Sequence, residues 1–197
     1  MLFDVGGVLV ELAGVAPSLA QLAPELPLEE FWRRWLYSPA VRAFETGRTA
    51  PAQFAGEVIA EFGWRCDPEA FLSAFTYWPS GLFDGVGQLL RDLPISCARA
   101  LLSNSNVLHW PRILDEMGLG QHFHHGFASH LTGHIKPDAD AFTHVLQALS
   151  LRPQQVLFLD DNAPNIEAAR ALGLQAQQAR GPMEARGVLQ RYGLLSG

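Results

Sequence analysis

The feature that most limits the fold of this chain is the alternation of short apolar segments with helical patterns after residue 80. Four of these segments are typical of strands: ARALLS (98–103), HGFAS (125–129), VLFLDD (156–161) and, less clearly, LQAQQA (174–179). A fifth, LFDVGGVLV (2–10), opens the chain as a buried strand followed by a Gly-Gly turn. Strands that alternate with helices form a mostly parallel sheet with helices on both faces. We therefore predict an α/β fold with a doubly wound, mostly parallel five-stranded sheet.

The remaining segments predict helices. Those between the strands are GLFDGVGQLLRDL (81–93), WPRILDEMGLG (110–120), DADAFTHVLQALSL (138–151) and APNIEAARALG (163–173). Residues 14–79 contain helical patterns and many aromatic residues, but no strand pattern. Phe54, Val58, Ile59 and Phe62, for example, fall on one helix face. We expect residues 1–13 and 80–197 to form the α/β core, and 14–79 to form an inserted helical-bundle cap.

The composition disfavours several functions. A net charge of −6 argues against sequence-independent binding of nucleic acid, which needs a basic surface. No stretch approaches the ~20 apolar residues of a membrane span, and Asp4 and Glu11 interrupt the apolar start, so we expect neither a signal peptide nor a membrane partner. Cys66 and Cys97 show no metal or redox spacing and predict two buried thiols in a cytoplasmic protein. HFHH (122–125) lacks a matching carboxylate or cysteine set, which disfavours a zinc site.

Polar side chains gather where the predicted strands end. Ligands bind at the carboxyl ends of the strands in parallel sheets, so these groups should share one edge. A carboxylate follows the first strand, a hydroxyl and an amide follow the second, an acidic pair closes VLFLDD, and a lysine precedes a helix. In chain order they are Asp4, Ser103, Asn104, Lys136, Asp160 and Asp161.

This set of side chains suits phosphoryl transfer. Asp4 can attack phosphorus and form an acyl-phosphate. Asp4 and Asp161 can hold Mg²⁺, which offsets the repulsion between the attacking carboxylate and the phosphate. Ser103 and the backbone N–H of Asn104 can bind phosphate oxygens, while Lys136 can neutralise charge and orient Asp4. The sequence therefore predicts a magnesium-dependent phosphatase for small phosphorylated metabolites.

Four motifs resemble those of the haloacid dehalogenase superfamily, in the branch with a small helical cap after the first strand. They are FDVGGVL, LLSNSN, IKPDADAF and VLFLDDNAPNIEAARALG, and the resemblance covers essentially the whole chain. It implies a Rossmann-like core with Asp4 as nucleophile, Ser103 as phosphate-binding hydroxyl and Lys136 as charge-stabilising lysine. It also implies Asp161 as a magnesium ligand and Asp160 as a ligand or a neighbour of the ligands.

Gly6 departs from the family pattern, because it stands where the family usually has its acid/base aspartate. Its backbone carbonyl is retained as an implied metal ligand, and a glycine at so sharp a turn could hold a positive φ. General acid–base help is worth ~10²- to 10⁴-fold in rate. An anomeric oxygen leaves readily and needs the least help. The chain most resembles the α-glucose-1-phosphate phosphatase type, with its Asp-x-Gly first motif, so sugar 1-phosphates are the expected substrates.

Several side chains have open roles. Glu11, Glu45 and His109 are candidates for a replacement acid, and the sequence does not choose among them. Arg42 and Arg48 could meet the non-reacting part of a phosphorylated substrate, or they could be solvated charges on a helix.

Three other functions compete with a phosphatase. A receiver domain places its acidic pair early in the chain, whereas here it comes last. A 2-haloacid dehalogenase would share Asp4, Ser103 and Lys136 but does not need the Asp160–Asp161 pair. A non-catalytic binding or regulatory protein of this superfamily is supported only by Gly6. The sequence leaves the physiological substrate and the oligomeric state open.

Overall fold

A five-stranded parallel sheet forms the centre of the protein. The computed structural model describes residues 1–196 of the 197-residue chain. Its strands are β1 (Leu2–Phe3), β2 (Val10–Glu11), β3 (Gly81–Leu82), β4 (Ala100–Ser103), β5 (His125–Ala128), β6 (Leu157–Asp160) and β7 (Gln175–Gln178). The sheet runs in the order β5-β4-β1-β6-β7, and all of its neighbouring strands are parallel. The predicted α/β class, the parallel pairing and all five strand assignments are confirmed.

Some helices cover the two faces of the sheet, and others form a separate bundle. They are α1 (Val15–Leu22), α2 (Leu28–Tyr37), α3 (Pro39–Glu45), α4 (Pro51–Phe62), α5 (Pro68–Thr76), α6 (Val86–Asp92), α7 (Ser129–Thr132), α8 (Ala139–Leu149), α9 (Ala163–Ala171) and α10 (Gly181–Arg191). Because side chains alternate along a strand, neighbouring residues face opposite layers. Phe3, Leu101 and Leu159 share an apolar cluster with α6 and α10. Leu2, Leu102 and Phe158 share another with α8 and α9, as a doubly wound sheet requires.

Helices α1 to α5 lie between β2 and β3 in the chain and share an apolar core of their own. Its buried aromatic side chains are Phe31, Trp35, Phe44, Phe54, Trp64, Phe71, Phe75 and Trp78. The rings of Phe44 and Phe54 stack with centroids 4.2 Å apart, and such pairs contribute ~0.5–1.5 kcal/mol beyond the burial of their area. The bundle has the helical character expected for residues 14–79, while the exact division into core and cap stays a prediction.

The chain enters and leaves these helices through a small antiparallel pair that the sequence did not indicate. Val10 pairs with Leu82, and Glu11 pairs with Gly81. In LFDVGGVLV the predicted strand is Leu2–Phe3, and Val10, after the Gly-Gly turn, begins the second, antiparallel pair. GLFDGVGQLLRDL is helical only from Val86, after Gly85 turns the chain with a φ of 91°.

Two further expectations need correction. WPRILDEMGLG was expected to be a helix that ends at glycine, but it contains a short π-helix, Arg112–Glu116. Cys66 and Cys97 are free and partly exposed, so they are not the buried thiols that were expected.

No helix within residues 1–196 is long and apolar enough to cross a membrane.

Candidate active site

A buried lysine joins two carboxylates at the edge of the sheet where the strands end, which we call the carboxyl edge. Asp4 follows β1, and its backbone N–H donates to the carbonyl of Leu159 at 2.8 Å. The Nζ of Lys136 donates to Asp4 Oδ1 at 2.7 Å and to Asp160 Oδ2 at 2.6 Å. Lys136 is only 1% exposed and lies over the ring of Phe158. Three residues far apart in the chain are thus fixed in one hydrogen-bonded row.

The side chain of Asn104 holds the backbone of Lys136 in place. Asn104 Nδ2 donates to the Lys136 carbonyl, and Asn104 Oδ1 accepts from the Lys136 N–H, both at 2.9 Å. The sequence suggested only the backbone N–H of Asn104 as a phosphate ligand. This positioning role was missed, because nothing in the SNSN segment shows which loop the amide meets.

Asp160 has its hydrogen-bonding capacity filled by the protein. Its Oδ1 accepts from the Asn162 N–H at 2.8 Å, and the Asn165 amide donates to both carboxylate oxygens at 3.0 and 2.9 Å. With Lys136 on Oδ2, this leaves little room for a metal ion. Asn165 lies in the first turn of α9, a place where the sequence signalled only a helix start. These hydrogen bonds suit Asp160 to orienting Lys136 rather than to binding a cation.

Asp161 lies next to the loop that follows Asp4. A Cβ on Gly7 would be 2.4 Å from Asp161 Oδ2, so only a glycine allows this approach. Gly7 also holds the positive φ, 73°. The expectation that Gly6 could need a positive φ is wrong, since φ of Gly6 lies outside that region. The carbonyl of Gly6 accepts no hydrogen bond from residues 1–196, so it stays available as a ligand.

The donor set fits a hard divalent cation such as Mg²⁺. Asp4 and Asp161 each offer an oxygen within 4.8 Å of the other, and Asp160, whose oxygens are already hydrogen-bonded, adds its charge to this cluster. Burial raises the pKa of Asp4, and the charges of Asp160 and Asp161 raise it further, against the opposing charge of Lys136. Burial and Asp160 also raise the pKa of Asp161, to about 6. One ammonium therefore does not balance three carboxylates, and carboxylate oxygens are the ligands that Mg²⁺ prefers.

Burial also affects the pKa of Lys136, but the charges of its two carboxylate partners together have the larger effect. Loss of water alone would lower the pKa of Lys136, whereas the charges of Asp160 and Asp4 raise it above its ordinary value. The lysine therefore stays an ammonium, as its predicted role in neutralising a transferring phosphate demands.

Ser103 ends β4 at the same edge and is 4% exposed. Leu101 pairs with Phe3 in the adjacent strand. Ser103 therefore lies level with the start of the loop after Asp4. Within residues 1–196, the Ser103 hydroxyl makes only a long hydrogen bond, 3.4 Å, to the Asn104 carbonyl. A hydroxyl so weakly held can turn toward a phosphate oxygen, and its binding role stays a prediction.

Other candidates do not join this group. His109 bonds to Asn106 and to the Phe75 carbonyl instead. Glu11 lies in β2, where its backbone binds Ser80. Arg48 is exposed and contacts Thr46. Arg42 pairs with the Asp138 carboxylate rather than pointing freely into solvent.

Comparisons with known proteins agree with this geometry. The family model described as haloacid dehalogenase-like hydrolase matches residues 1–173. A phosphoglycolate phosphatase of Pseudomonas putida is 27% identical over 187 residues, which are 89% of this chain and 66% of that protein. The chain spans about half to two thirds of the length of the curated relatives it matches.

Solved structures add two points of comparison. A HAD family enzyme of Bacteroides thetaiotaomicron, in complex with magnesium and inorganic phosphate, superposes with a TM-score of 0.65 at 21% identity, over 91% of this chain and 92% of that one. At that identity the likeness shows the fold. An L-2-haloacid dehalogenase is similar with a TM-score of 0.65 at 27% identity, over 93% of this chain and 85% of that one.

Proposed function

The chain belongs to the haloacid dehalogenase-like hydrolase family, and we propose that it is a magnesium-dependent phosphatase of small phosphorylated metabolites. The observation that carries this proposal is the row Asp4–Lys136–Asp160 beside Asp161. A nucleophilic carboxylate that touches an ammonium and lies in a cluster of acids suits attack on an anionic phosphate. The phosphatase name of the Pseudomonas putida relative supports the same class.

In the proposed reaction, Asp4 attacks phosphorus and forms an aspartyl-phosphate. Lys136 holds Asp4 Oδ1 and leaves the second oxygen, which accepts no hydrogen bond from residues 1–196, to attack. The Ser103 hydroxyl and the Asn104 N–H bind the phosphate oxygens. Asp4, Asp161 and the Gly6 carbonyl would hold Mg²⁺, which when bound offsets the charge between nucleophile and phosphate. Asp160, fixed by Asn165, keeps Lys136 in place.

For the substrate class we propose sugar 1-phosphates. The usual acid of the family is missing at Gly6, and an anomeric oxygen is the leaving group that loses least by its absence. The resemblance to the α-glucose-1-phosphate phosphatase type points the same way. Phosphoglycolate, named in the Pseudomonas putida relatives, is an alkyl phosphate. Its glycolate oxygen is a poorer leaving group and would depend more on a proton from a general acid.

A second candidate is a 2-haloacid dehalogenase, supported by the 27% identity to a solved enzyme of that kind. It would use Asp4 to displace a halide and would not require Mg²⁺. The clustering of Asp161 with Asp4 favours the phosphatase, because a lone nucleophile gains nothing from a neighbouring negative charge. A non-catalytic protein of the same fold would need neither the buried ammonium nor its two charged partners.

The test is a screen of phosphorylated metabolites, an aryl phosphate and a 2-haloacid, each with and without Mg²⁺. We expect hydrolysis of phosphate monoesters only with Mg²⁺, with sugar 1-phosphates among the best substrates. Asp4→Asn should remove the activity, since an amide is too weak a nucleophile. Halide release without Mg²⁺ would instead favour the dehalogenase, and inactivity on every compound would favour a binding protein.

A further inference from the structure

We propose that Glu45, the last residue of α3, is the general acid and base that replaces the aspartate missing at Gly6. The inference rests on the proposed phosphatase function, and with an acid at Glu45 the choice of sugar 1-phosphates rests on the family resemblance rather than on the missing aspartate. An acid–base group is needed whatever the leaving group, because water must lose a proton when it attacks the aspartyl-phosphate.

Two contacts hold the end of α3 at the carboxyl edge, close to Lys136. Before Glu45 in the chain, the Arg42 guanidinium pairs with the carboxylate of Asp138, which follows Lys136 closely. After Glu45, Gly47 lies so near α7 that a Cβ there would be 2.6 Å from the His130 carbonyl oxygen. Glu45 lies between these two contacts, so its backbone is held beside the loop that carries Lys136.

The electrostatic surroundings of Glu45 suit a group that both gives and takes a proton. Burial raises the pKa of Glu45 to about 7, while the charges of Lys136 and Arg42 and the indole of Trp35 act to lower it. The other charged neighbour on this side, Asp138, is bound to Arg42. A pKa close to the working pH gives efficient general acid–base catalysis.

The direction of attack favours an acid from this side. In an in-line displacement the leaving oxygen departs on the side of phosphorus opposite the nucleophile. Asp4 attacks from the end of β1, so the leaving oxygen departs away from the sheet. The two contacts above bring the α3 end to the loop that carries Lys136, and Glu45 is the acid at that end.

The other two candidates are unsuited. Burial lowers the pKa of His109 to about 4, so its ring is neutral near pH 7. Its nitrogens lie 3.1 Å from Asn106 Nδ2 and 2.7 Å from the Phe75 carbonyl, which leaves neither free for a substrate. The backbone of Glu11 is bound to Ser80 in the pair of β2 and β3, and no hydrogen bond ties Glu11 to residues 129–138 within the described residues 1–196.

The two steps balance in atoms and charge. As Asp4 attacks phosphorus, the bond from phosphorus to the leaving oxygen breaks, and that oxygen takes the proton of the Glu45 carboxyl. Water then attacks the same phosphorus and gives a proton to the Glu45 carboxylate, while the bond from Asp4 to phosphorus breaks. Phosphate and alcohol leave, Asp4 is again ionised, and Glu45 is again protonated.

The test compares the native protein, Glu45→Gln and Glu57→Gln with Mg²⁺ on an alkyl phosphate and an aryl phosphate. Glu57 is a matched control, because it is exposed on α4 and accepts only from Gln53. Glu45→Gln should lose ~10²- to 10⁴-fold on the alkyl phosphate. On the aryl phosphate it should release a burst of phenol equal to the enzyme present and then slow, because the aspartyl-phosphate lacks a base. Glu57→Gln should match the native protein.

Each result has a distinct meaning. If the native protein is active but Glu45→Gln keeps the native alkyl rate and shows no burst, Glu45 is not the acid–base group, while the phosphatase proposal stands. If the native protein hydrolyses no phosphate, the phosphatase proposal fails and takes this inference with it. Glu45→Asp guards against misfolding, since it keeps the acid. It should recover part of the alkyl rate, and a failure to recover with native-like thermal melting would also overturn the inference.

Discussion

The carboxylate of Asp161 lies directly against Gly7, with 2.4 Å between its Oδ2 and the position a Cβ on Gly7 would take. Gly7 also has a φ of 73°, in the left-handed region. Gly6 has neither property, because an added Cβ would meet only the flexible Leu12 side chain, at 3.2 Å. The geometry of the loop therefore requires the second glycine and tolerates a change at the first.

The first prediction compares alanine at these two glycines. Gly7→Ala should lower stability by ~1–2 kcal/mol for the left-handed backbone alone, and it should weaken Mg²⁺ binding because Asp161 must move. Gly6→Ala should have a much smaller effect on both. Thermal melting and Mg²⁺ titration of the two variants make the comparison. Equal losses at both positions would show that the close contact with Asp161 does not matter.

The second prediction concerns the cation. Asp161→Ala should raise the Mg²⁺ concentration needed for half-maximal activity, since it removes a proposed ligand. Asp115→Ala is the control, because Asp115 is exposed and lies outside the candidate site. Calorimetric titration of Mg²⁺ into both variants gives the affinities. An unchanged affinity in Asp161→Ala would remove Asp161 from the proposed ligands.

The positions of most site residues could be predicted because strand ends are visible in the sequence. Ser103 and Asp160 end strands β4 and β6, and Asp4 follows β1, so one topological rule brings them together. Lys136 was placed there only through its order in the motifs. Its contacts with both carboxylates depend on how a loop folds back, and no local pattern records that.

The parts that could not be predicted involve pairings between distant segments. Val10 meets Leu82 only because the helices between them return the chain to its starting point. The amide of Asn165, in the first turn of α9, donates a hydrogen bond to Asp160. A polar residue is common at the start of a helix, so Asn165 did not stand out in the sequence. The sequence also does not show which of the two adjacent glycines must remain a glycine. That depends on the position of Asp161, which tertiary packing sets.

The third prediction tests the buried ion pairs. Lys136→Met removes the only ammonium that contacts Asp4 and Asp160 in the described residues 1–196. Breaking a buried pair in this way costs ~3–5 kcal/mol. The loss should be smaller at low pH, where the carboxyls can take protons and no unpaired charge is buried. Urea denaturation at several pH values measures it, and a loss independent of pH would contradict the ion-pair account.

The fourth prediction uses the pH dependence of stability at Glu45. Burial raises the pKa of Glu45 from 4.5 to about 7. Between these values the folded protein holds a proton that the unfolded chain has released, so stability falls as pH rises. The contribution is fully present below about 4.5 and is lost as pH passes about 7. Glu45→Gln should show a smaller fall over that range in urea denaturation without Mg²⁺, whereas parallel curves would mean that Glu45 titrates normally.

The last prediction restores the family's acid at Gly6. The backbone there is not left-handed, and the nearest atom to a new side chain is the movable Leu12 Cδ1, so aspartate should fit with little strain. If Glu45 supplies the proton in the native protein, Gly6→Asp alone should change the alkyl phosphate rate only slightly. In the Glu45→Gln background, the same substitution should recover much of the ~10²- to 10⁴-fold that general acid–base catalysis provides.

The measurement for this prediction is the ratio of alkyl to aryl phosphate rates within each variant, which cancels any loss of folded protein. Glu45→Gln should have the lowest ratio, and the double variant should return toward the native ratio, because Asp at position 6 then protonates the alkoxide. Gly6→Ala in the Glu45→Gln background is the control, since it adds a Cβ without an acid. Recovery with alanine would show that loop packing, not proton transfer, limits the rate. If Gly6→Asp alone hydrolysed the alkyl phosphate much faster than the native protein, no residue would have replaced the missing aspartate.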